Sequence, residues 1–131
     1  MSESQHSQKD IAAFRDSYAE MFGEIPPLPK AKFEFGSDID PEALVLGEQL
    51  RAHAFYNDVF NMKTTQLMLF AMLLVEGSGA AHFHALAARQ AGATWKELYK
   101  VVELASAVSA LGPMNKGGAL LNELRKNEAK D

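Results

Sequence analysis

Apolar residues recur at helical spacing along most of this chain. Between Gln8 and Phe22 they stand three or four positions apart, which is the period of a helix with one buried face. The same test predicts further helices at about 41–60, 63–75, 78–91, 94–111 and 115–126. No segment alternates convincingly between apolar and polar residues, as a half-buried strand would. The sequence therefore predicts an all-α fold of about six helices, in one domain spanning residues 1–131.

Residues with strong terminal preferences predict several helix ends. Asp40 is suited to cap the helix that begins at Pro41, since proline has no N–H to leave unpaired in a first turn. Thr94 followed by Glu97 matches the capping box, in which each side chain bonds the backbone N–H of the other residue. Gly92 is a natural residue just past a helix end. These signals place helix starts at residues 41 and 94–95.

Three segments are expected to be irregular. Residues 1–7 are polar and predict a flexible tail, and the Gly112-Pro113 pair predicts a break between the last two helices. Residues 24–40 contain Gly36 and three prolines, namely Pro26, Pro27 and Pro29. Because proline removes a backbone donor and restricts the residue before it, we expect a long loop over 24–40.

The helix at 63–75 is apolar on nearly every side. A helix of this kind is buried all round. In a domain of 131 residues such burial is hard to achieve within one subunit, which indicates burial in an oligomer. The alternative is an ordinary central core helix, and the sequence leaves both open.

Composition excludes several classes of protein. The chain has no cysteine, so disulfides, thiolate catalysis and cysteine-ligated zinc are excluded. A net charge of −4 argues against nucleic acid as a partner. The longest apolar run, Leu67 to Val75, is too short to cross a bilayer, so no membrane partner is expected. The polar N-terminus lacks a signal-peptide core, which makes the cytoplasm the expected location.

The candidate site is the junction between two predicted helices at residues 76–94. Glu76, His82 and His84 supply three titratable side chains around the glycines Gly77 and Gly79. His84 stands four positions after Ala80 and seven after Gly77, so on an ideal helix it faces these two small residues. We expect a small apolar hollow beside its imidazole, which a ligand could fill.

The segment from His84 through Gly92-Ala93-Thr94 to Leu98, followed by Gly112-Pro113, resembles the carboxymuconolactone decarboxylase family. Alkyl hydroperoxidase D-type proteins share that family's core. Lys63 to Leu67 and Met21 to Pro26 are similar to further family segments. The resemblance implies an alkyl hydroperoxidase D-like helical fold that assembles as a homotrimer or homohexamer. It also implies a cofactor-independent lyase acting on a small carboxylated, lactone-like metabolite.

Departures from the family pattern narrow this expectation. The peroxidase branch carries two cysteines at the positions of Gly77 and Ala80, so thiol peroxidase chemistry is not expected. The proton-handling Glu of the family falls at Thr65, or at Gln66 with a one-residue shift, and neither titrates. Only His84 carries over. The alternative is therefore a non-catalytic or ligand-binding member that kept the scaffold.

His84 is the predicted proton donor or acceptor, because imidazole titrates near neutral pH. Glu76 is the carboxylate closest to it along the chain and is the second catalytic candidate, although it could simply be solvated at a helix end. Candidate substrate-binding residues, each with a plainer role in packing or at the surface, are His82, His53, Tyr56 and Trp95.

Neither a metal nor a cofactor is predicted. His82 and His84 are two positions apart, whereas two ligands on one helix need a spacing of three or four. A carboxylated substrate does require a cation. The sequence offers Arg51, Lys63 and Arg89 without indicating which of them lies near His84.

Overall fold

The computed structural model describes the backbone of residues 3–130 and the side chains of residues 8–130. Its helices are α1 (Glu3–Phe22), α2 (Pro27–Ile39), α3 (Pro41–Phe55), α4 (Met62–Glu76), α5 (Ala81–Gln90) and α6 (Trp95–Lys130). Residues 3–130 contain no strand. The prediction of an all-α fold with about six helices is confirmed, although two of the six differ from those predicted.

The first difference is α2, which occupies most of the segment predicted to be a loop over 24–40. Pro27 and Pro29 lie in the first turn of this helix, where backbone N–H groups have no intrahelical acceptor, so proline does not interrupt it. Phe33 is buried to 1% exposure and anchors the helix. Gly36 packs against Leu44, whose side chain would lie 3.4 Å from a Cβ at position 36, at ordinary van der Waals contact.

The second difference is α6, which continues through Gly112-Pro113 as one helix of 36 residues. Pro113 removes one hydrogen bond to the carbonyl four residues earlier. No residue from Ser106 to Lys130 is buried in the single chain, so water can reach that carbonyl. Pro27 and Pro29 therefore lie in a first turn and Pro113 lies inside a helix, and none of the three breaks a helix. Across the described residues, no helix is both long and apolar enough to cross a membrane.

The N-terminal tail also differs from expectation. Residues 3–7, which were predicted to be flexible, form the beginning of α1. Residues 1 and 2 of the same predicted tail lie outside the described part of the chain.

Two apolar clusters hold the helices together, and α5 contributes to both. The first joins α1, α2, α3 and α5 through Tyr18, Met21, Phe22, Phe33, Leu44 and Ala87. The second joins α4, α5 and α6 through Phe70, Ala81, Ala88, Ala93, Leu98 and Val101. Because α5 lies between the clusters, a side chain near its start is enclosed by helices from both halves of the chain.

Helix α4 is not buried on all sides in the single chain. It packs against α5 and α6, but Met72 and Val75 remain 57% and 51% exposed. The alternative of an ordinary core helix buried within one subunit is therefore wrong, and burial of α4 in an oligomer stays a prediction. α5 and α6 together bury only part of the apolar surface of α4.

The helix ends predicted at Asp40, Gly92 and Thr94 are confirmed, whereas α3 ends at Phe55 and not at about residue 60. The Asp40 carboxylate accepts a hydrogen bond from Ala43 N at 3.1 Å. Thr94 and Glu97 bond each other's backbone N–H at 3.0 Å in both directions. Gly92 has a positive φ of +100°, which L-residues with side chains rarely adopt. The resulting corner fixes the direction in which α6 leaves α5.

Candidate functional site

A cavity of about 650 Å³ surrounds the exposed edge of His84, where α1, α3, α4, α5 and the start of α2 meet. Its wall is mostly apolar and includes Phe22, Pro27, Leu28, Phe55, Leu69 and Met72. Its polar side chains are Tyr18, Arg51, Glu76 and His84. This size and mixture are typical of sites that bind small molecules, in which a few polar groups orient a largely apolar ligand.

The imidazole of His84 is held in one tautomer. Its Nδ1 lies 2.6 Å from Oε1 of Gln66, a carbonyl oxygen that can only accept, so Nδ1 carries the proton. The Gln66 amide nitrogen faces the sulfur atoms of Met21 and Met62 at 3.4 and 3.3 Å, which is consistent with this orientation. Nε2 of His84 makes no hydrogen bond with any described residue. It therefore presents a free lone pair.

The surroundings of His84 keep it uncharged at neutral pH. Burial is the largest cause and the positive charge of Arg51 the second, and together they lower the pKa of His84 to about 4. The Phe22 and Phe55 rings stand nearly perpendicular to the imidazole, at centroid distances of 5.2 and 5.5 Å. Gln66 adds no negative charge that would oppose these effects. Without a ligand, Nε2 of His84 can accept a proton but has none to donate.

Gln66 and Thr65, the two positions on α4 considered from the sequence, face different parts of the fold. Gln66 faces His84, whereas Thr65 faces the connection between α3 and α4, where its Oγ1 accepts a hydrogen bond from Asn57 at 3.2 Å. The side chain that faces the imidazole from α4 is therefore a neutral amide.

Arg51 is the cation beside this site. Its guanidinium carbon lies 3.6 Å from the centroid of the Tyr18 ring, and its side chain is only 11% exposed. Nη1 donates to Ser17 Oγ at 3.1 Å, while Nη2 reaches only the sulfur of Met21 at 3.8 Å. Nε makes no hydrogen bond within the described side chains. A guanidinium has five N–H donors, so most of them are available to an anion.

The other two candidate cations are engaged elsewhere. Lys63 forms an ion pair with Glu97 at 3.1 Å. Arg89 donates to the carbonyl of Ala93 at 2.6 Å and lies over the Trp95 ring at 4.3 Å. Neither lines the His84 cavity.

The structure brings both predicted catalytic residues to one cavity. Glu76 at the end of α4 and His84 on α5 both line it. Gly79 and Ala80 form the small surface beside the imidazole, but Gly77 does not share its helical face, because α5 begins only at Ala81.

The four predicted substrate-binding residues lie outside this wall. His53 and His82 are exposed at the surface. Tyr56 lines a separate pocket of about 260 Å³, and Trp95 is 71% exposed beneath Arg89. Among the described residues, no three His, Asp or Glu side chains are grouped so that they could hold a metal ion.

A buried carboxylate next to the cavity was missed. Glu48 is 2% exposed, and its Oε1 accepts hydrogen bonds from Tyr18 and from Lys32. The large apolar residues Leu46 and Leu50 of α3 are exposed, at 61% and 71%. The true inner face has spacings of four, three and four, through Leu44, Glu48, Arg51 and Phe55. Glu48 and Arg51 share the helical spacing of Leu44 and Phe55, and this pattern in the sequence could have predicted that both charged residues face inward.

The buried, neutral His84 predicts acid sensitivity. In the unfolded chain its pKa is about 6.5, so the unfolded state binds a proton first as the pH falls. The contribution of neutral His84 to the free energy of unfolding is fully present above pH 6.5 and decreases as the pH falls. At pH 4 the loss reaches about 3 kcal/mol.

Urea unfolding at pH 7 and pH 4 measures this loss. The reference is His84→Asn, whose side-chain amide can still donate to Gln66 but does not titrate. We expect the wild type to lose about 3 kcal/mol more than the variant over this interval. Equal losses would show that His84 is not a buried neutral histidine.

No family model, no curated protein sequence and no solved structure matches this chain.

Proposed function

We propose that this protein is a cofactor-independent lyase of the carboxymuconolactone decarboxylase type, acting on a small carboxylated, lactone-like metabolite in the His84 cavity. One observation carries the proposal. An arginine with unused N–H donors and a neutral histidine with a free Nε2 line the same apolar cavity. The arginine fits a carboxylate, and the histidine fits a group that exchanges a proton.

Arg51 is the residue that selects the ligand. Its planar guanidinium can bind both oxygens of a carboxylate through parallel N–H···O bonds. The apolar wall around it strengthens such a pair, because charges interact more strongly away from water. In this proposal Arg51 holds a carboxylate that the reaction leaves in place, and the rings of Phe22 and Phe55 contact the body of the ligand.

His84 then handles the proton. The negative charge of the bound ligand favours imidazolium, so binding raises the pKa of His84 from its low value in the free protein. Loss of a second carboxylate as CO₂ breaks a carbon–carbon bond and leaves its electron pair on the conjugated lactone as an enolate. The imidazolium gives its Nε2 proton to carbon, and the neutral imidazole is protonated again from water. One proton enters and one CO₂ leaves.

A paired binding and turnover measurement tests this function. Carboxylated lactones and their matched methyl esters are added to the protein, and thermal stabilisation and CO₂ release are recorded. We expect the carboxylates to raise the melting temperature and to be decarboxylated, whereas the esters do neither. Failure of every carboxylate to stabilise the protein would contradict the role of Arg51.

A second candidate is a ligand-binding protein that uses the same cavity without chemistry. The observation in its favour is Gln66, since a neutral amide cannot exchange a proton with His84 as a carboxylate would. Thermal stabilisation by carboxylated lactones without CO₂ release would favour this alternative over the lyase.

We also propose that the protein forms a homotrimer or homohexamer. Support comes from large apolar residues that one subunit leaves more than half exposed on α6, including Leu104, Val108, Leu111, Leu120, Leu121 and Leu124. Exposed apolar residues in such number are typical of a subunit interface. Sedimentation equilibrium should give a mass three or six times that of the chain.

A further inference from the structure

Glu48 is a buried charge that the proposed chemistry does not use. Its side chain is 2% exposed, and Oε2 has no hydrogen-bond partner among the described residues. Removing a carboxylate from water is costly, and an apolar side chain of similar volume is often equally stable in its place. The contacts of this carboxylate with the residues around Arg51 indicate what it does.

Glu48 reaches Arg51 by two routes. Its Oε2 lies 3.8 Å from Nη1 of Arg51, one helical turn away on α3. Its Oε1 accepts a hydrogen bond from the Tyr18 hydroxyl at 2.9 Å. The guanidinium carbon of Arg51 stacks on the Tyr18 ring, 3.6 Å from the ring centroid. Lys32 reaches across from α2 and donates to both the Glu48 carboxylate and the Tyr18 hydroxyl. The Glu48 carboxylate therefore acts on Arg51 in two ways. It places a negative charge beside the guanidinium, and it holds the Tyr18 ring on which the guanidinium stacks.

Ser17 completes the arrangement on the same side of Arg51. Its hydroxyl donates to the carbonyl of Phe14 at 2.6 Å, so the oxygen's lone pairs are free to accept from Nη1 at 3.1 Å. Nη1 is thus engaged by Ser17 and faces Glu48. Nη2 and Nε are left without an oxygen acceptor among the described residues.

We propose that Glu48 is a positioning residue, which holds the Arg51 guanidinium so that Nη2 and Nε are presented to a carboxylate in the His84 cavity. This inference rests on the proposed function, because it assigns to Arg51 the recognition of an anionic ligand. Without Glu48 the long arginine side chain loses its charged partner, and its stacking surface loses one hydrogen bond. Arg51 then occupies several rotamers, and ligand binding must restrict them again.

The variant Glu48→Gln separates positioning from charge. Glutamine keeps the shape and an acceptor oxygen for Tyr18, but it removes the negative charge. If charge alone mattered, its removal beside Arg51 would strengthen the binding of an anion. If Glu48 positions Arg51, binding weakens, and we expect a loss of roughly tenfold. The two explanations therefore predict opposite signs.

Benzoate and its neutral analogue benzamide are suitable probes, measured by isothermal titration calorimetry. We expect Glu48→Gln to weaken benzoate binding and to leave benzamide binding unchanged. Glu42→Gln is the matched control, because it removes one charge from an exposed position on the same helix. It should leave the affinities for both probes unchanged.

A second measurement needs no ligand. Relaxation of the Arg51 Nε–H group by ¹⁵N NMR reports how rigidly the guanidinium is held. We expect its order parameter to fall in Glu48→Gln and to stay unchanged in Glu42→Gln. Should Glu48→Gln fail to fold, Tyr18→Phe provides the same test, since it keeps the ring but breaks its bond to Glu48. A smaller fall is expected in that variant.

The outcomes distinguish the two proposals. An unchanged order parameter for Arg51, or tighter benzoate binding in Glu48→Gln, would overturn the positioning role. Equal affinity of the wild-type protein for benzoate and benzamide would instead count against the proposed function. In that case the relaxation measurement still decides whether Glu48 holds Arg51.

Discussion

Replacing His84 with Asn is expected to lower kcat by about 10²–10⁴-fold on the substrate of the cavity, which is the usual contribution of a positioned general acid or base. The amide of asparagine can still donate to Gln66, so the local packing is largely kept. What disappears is Nε2, which alone among the imidazole atoms offers a free lone pair to the cavity. KM should change little, because Arg51 and the apolar wall remain.

The controls for this variant are His53→Asn and His82→Asn. Both histidines are exposed and lie outside the cavity wall, so neither substitution should alter kcat. His84→Ala should be at least as inactive as His84→Asn. Unchanged turnover in either His84 variant would remove this residue from the mechanism and would favour a cavity that only binds its ligand.

Local chemistry in the sequence was sufficient to predict helix ends but not the meaning of each proline. The caps at Asp40 and Thr94 depend on residues within three positions, and both form as predicted. In the sequence, Pro27 and Pro113 predict irregular backbone, and the structure has helix at both. The first lies in an opening turn and the second in an exposed helix interior, and in both places the missing N–H costs less than in a buried helix.

The site was predictable where it depends on a single segment. His84 and Ala80 are four positions apart along the chain, so a small residue beside the imidazole could be expected, although Gly77 does not share this face. The partners of Glu48 are 16 and 30 residues away, at Lys32 and Tyr18. Because their convergence depends on three helices packing together, a pattern within α3 alone could not reveal that a charged residue faces inward.

Tertiary packing also explains why Arg51 could not be chosen in advance. Arg51, Lys63 and Arg89 all stand on predicted helices, and the first and last of them are 38 positions apart. Lys63 and Arg89 are engaged by Glu97 and by the carbonyl of Ala93, and only the fold shows this. The choice of cation therefore follows from contacts between helices and not from spacing.

Arg51→Gln is expected to reduce kcat/KM for a carboxylated substrate by about 30-fold to several thousandfold. This range corresponds to the roughly 2–5 kcal/mol lost when one partner of a buried, hydrogen-bonded charge pair is truncated. Affinity for a neutral ester of the same ligand should hardly change, because the ester offers no charge to Arg51. Isothermal titration with the acid and its ester, together with steady-state kinetics on the acid, measures both effects.

Lys63→Gln is the matched control, since it removes the same charge from a surface ion pair and should leave kcat/KM unchanged. Arg51→Gln also has a readout without ligand. The positive charge of Arg51 is the second cause, after burial, of the low pKa of His84, so removing it should raise that pKa while burial still keeps it below 6.5. If Arg51→Gln still prefers the acid over the ester, Arg51 is not the residue that recognises the carboxylate. The anion would then bind elsewhere in the cavity, because position 51 no longer carries a charge.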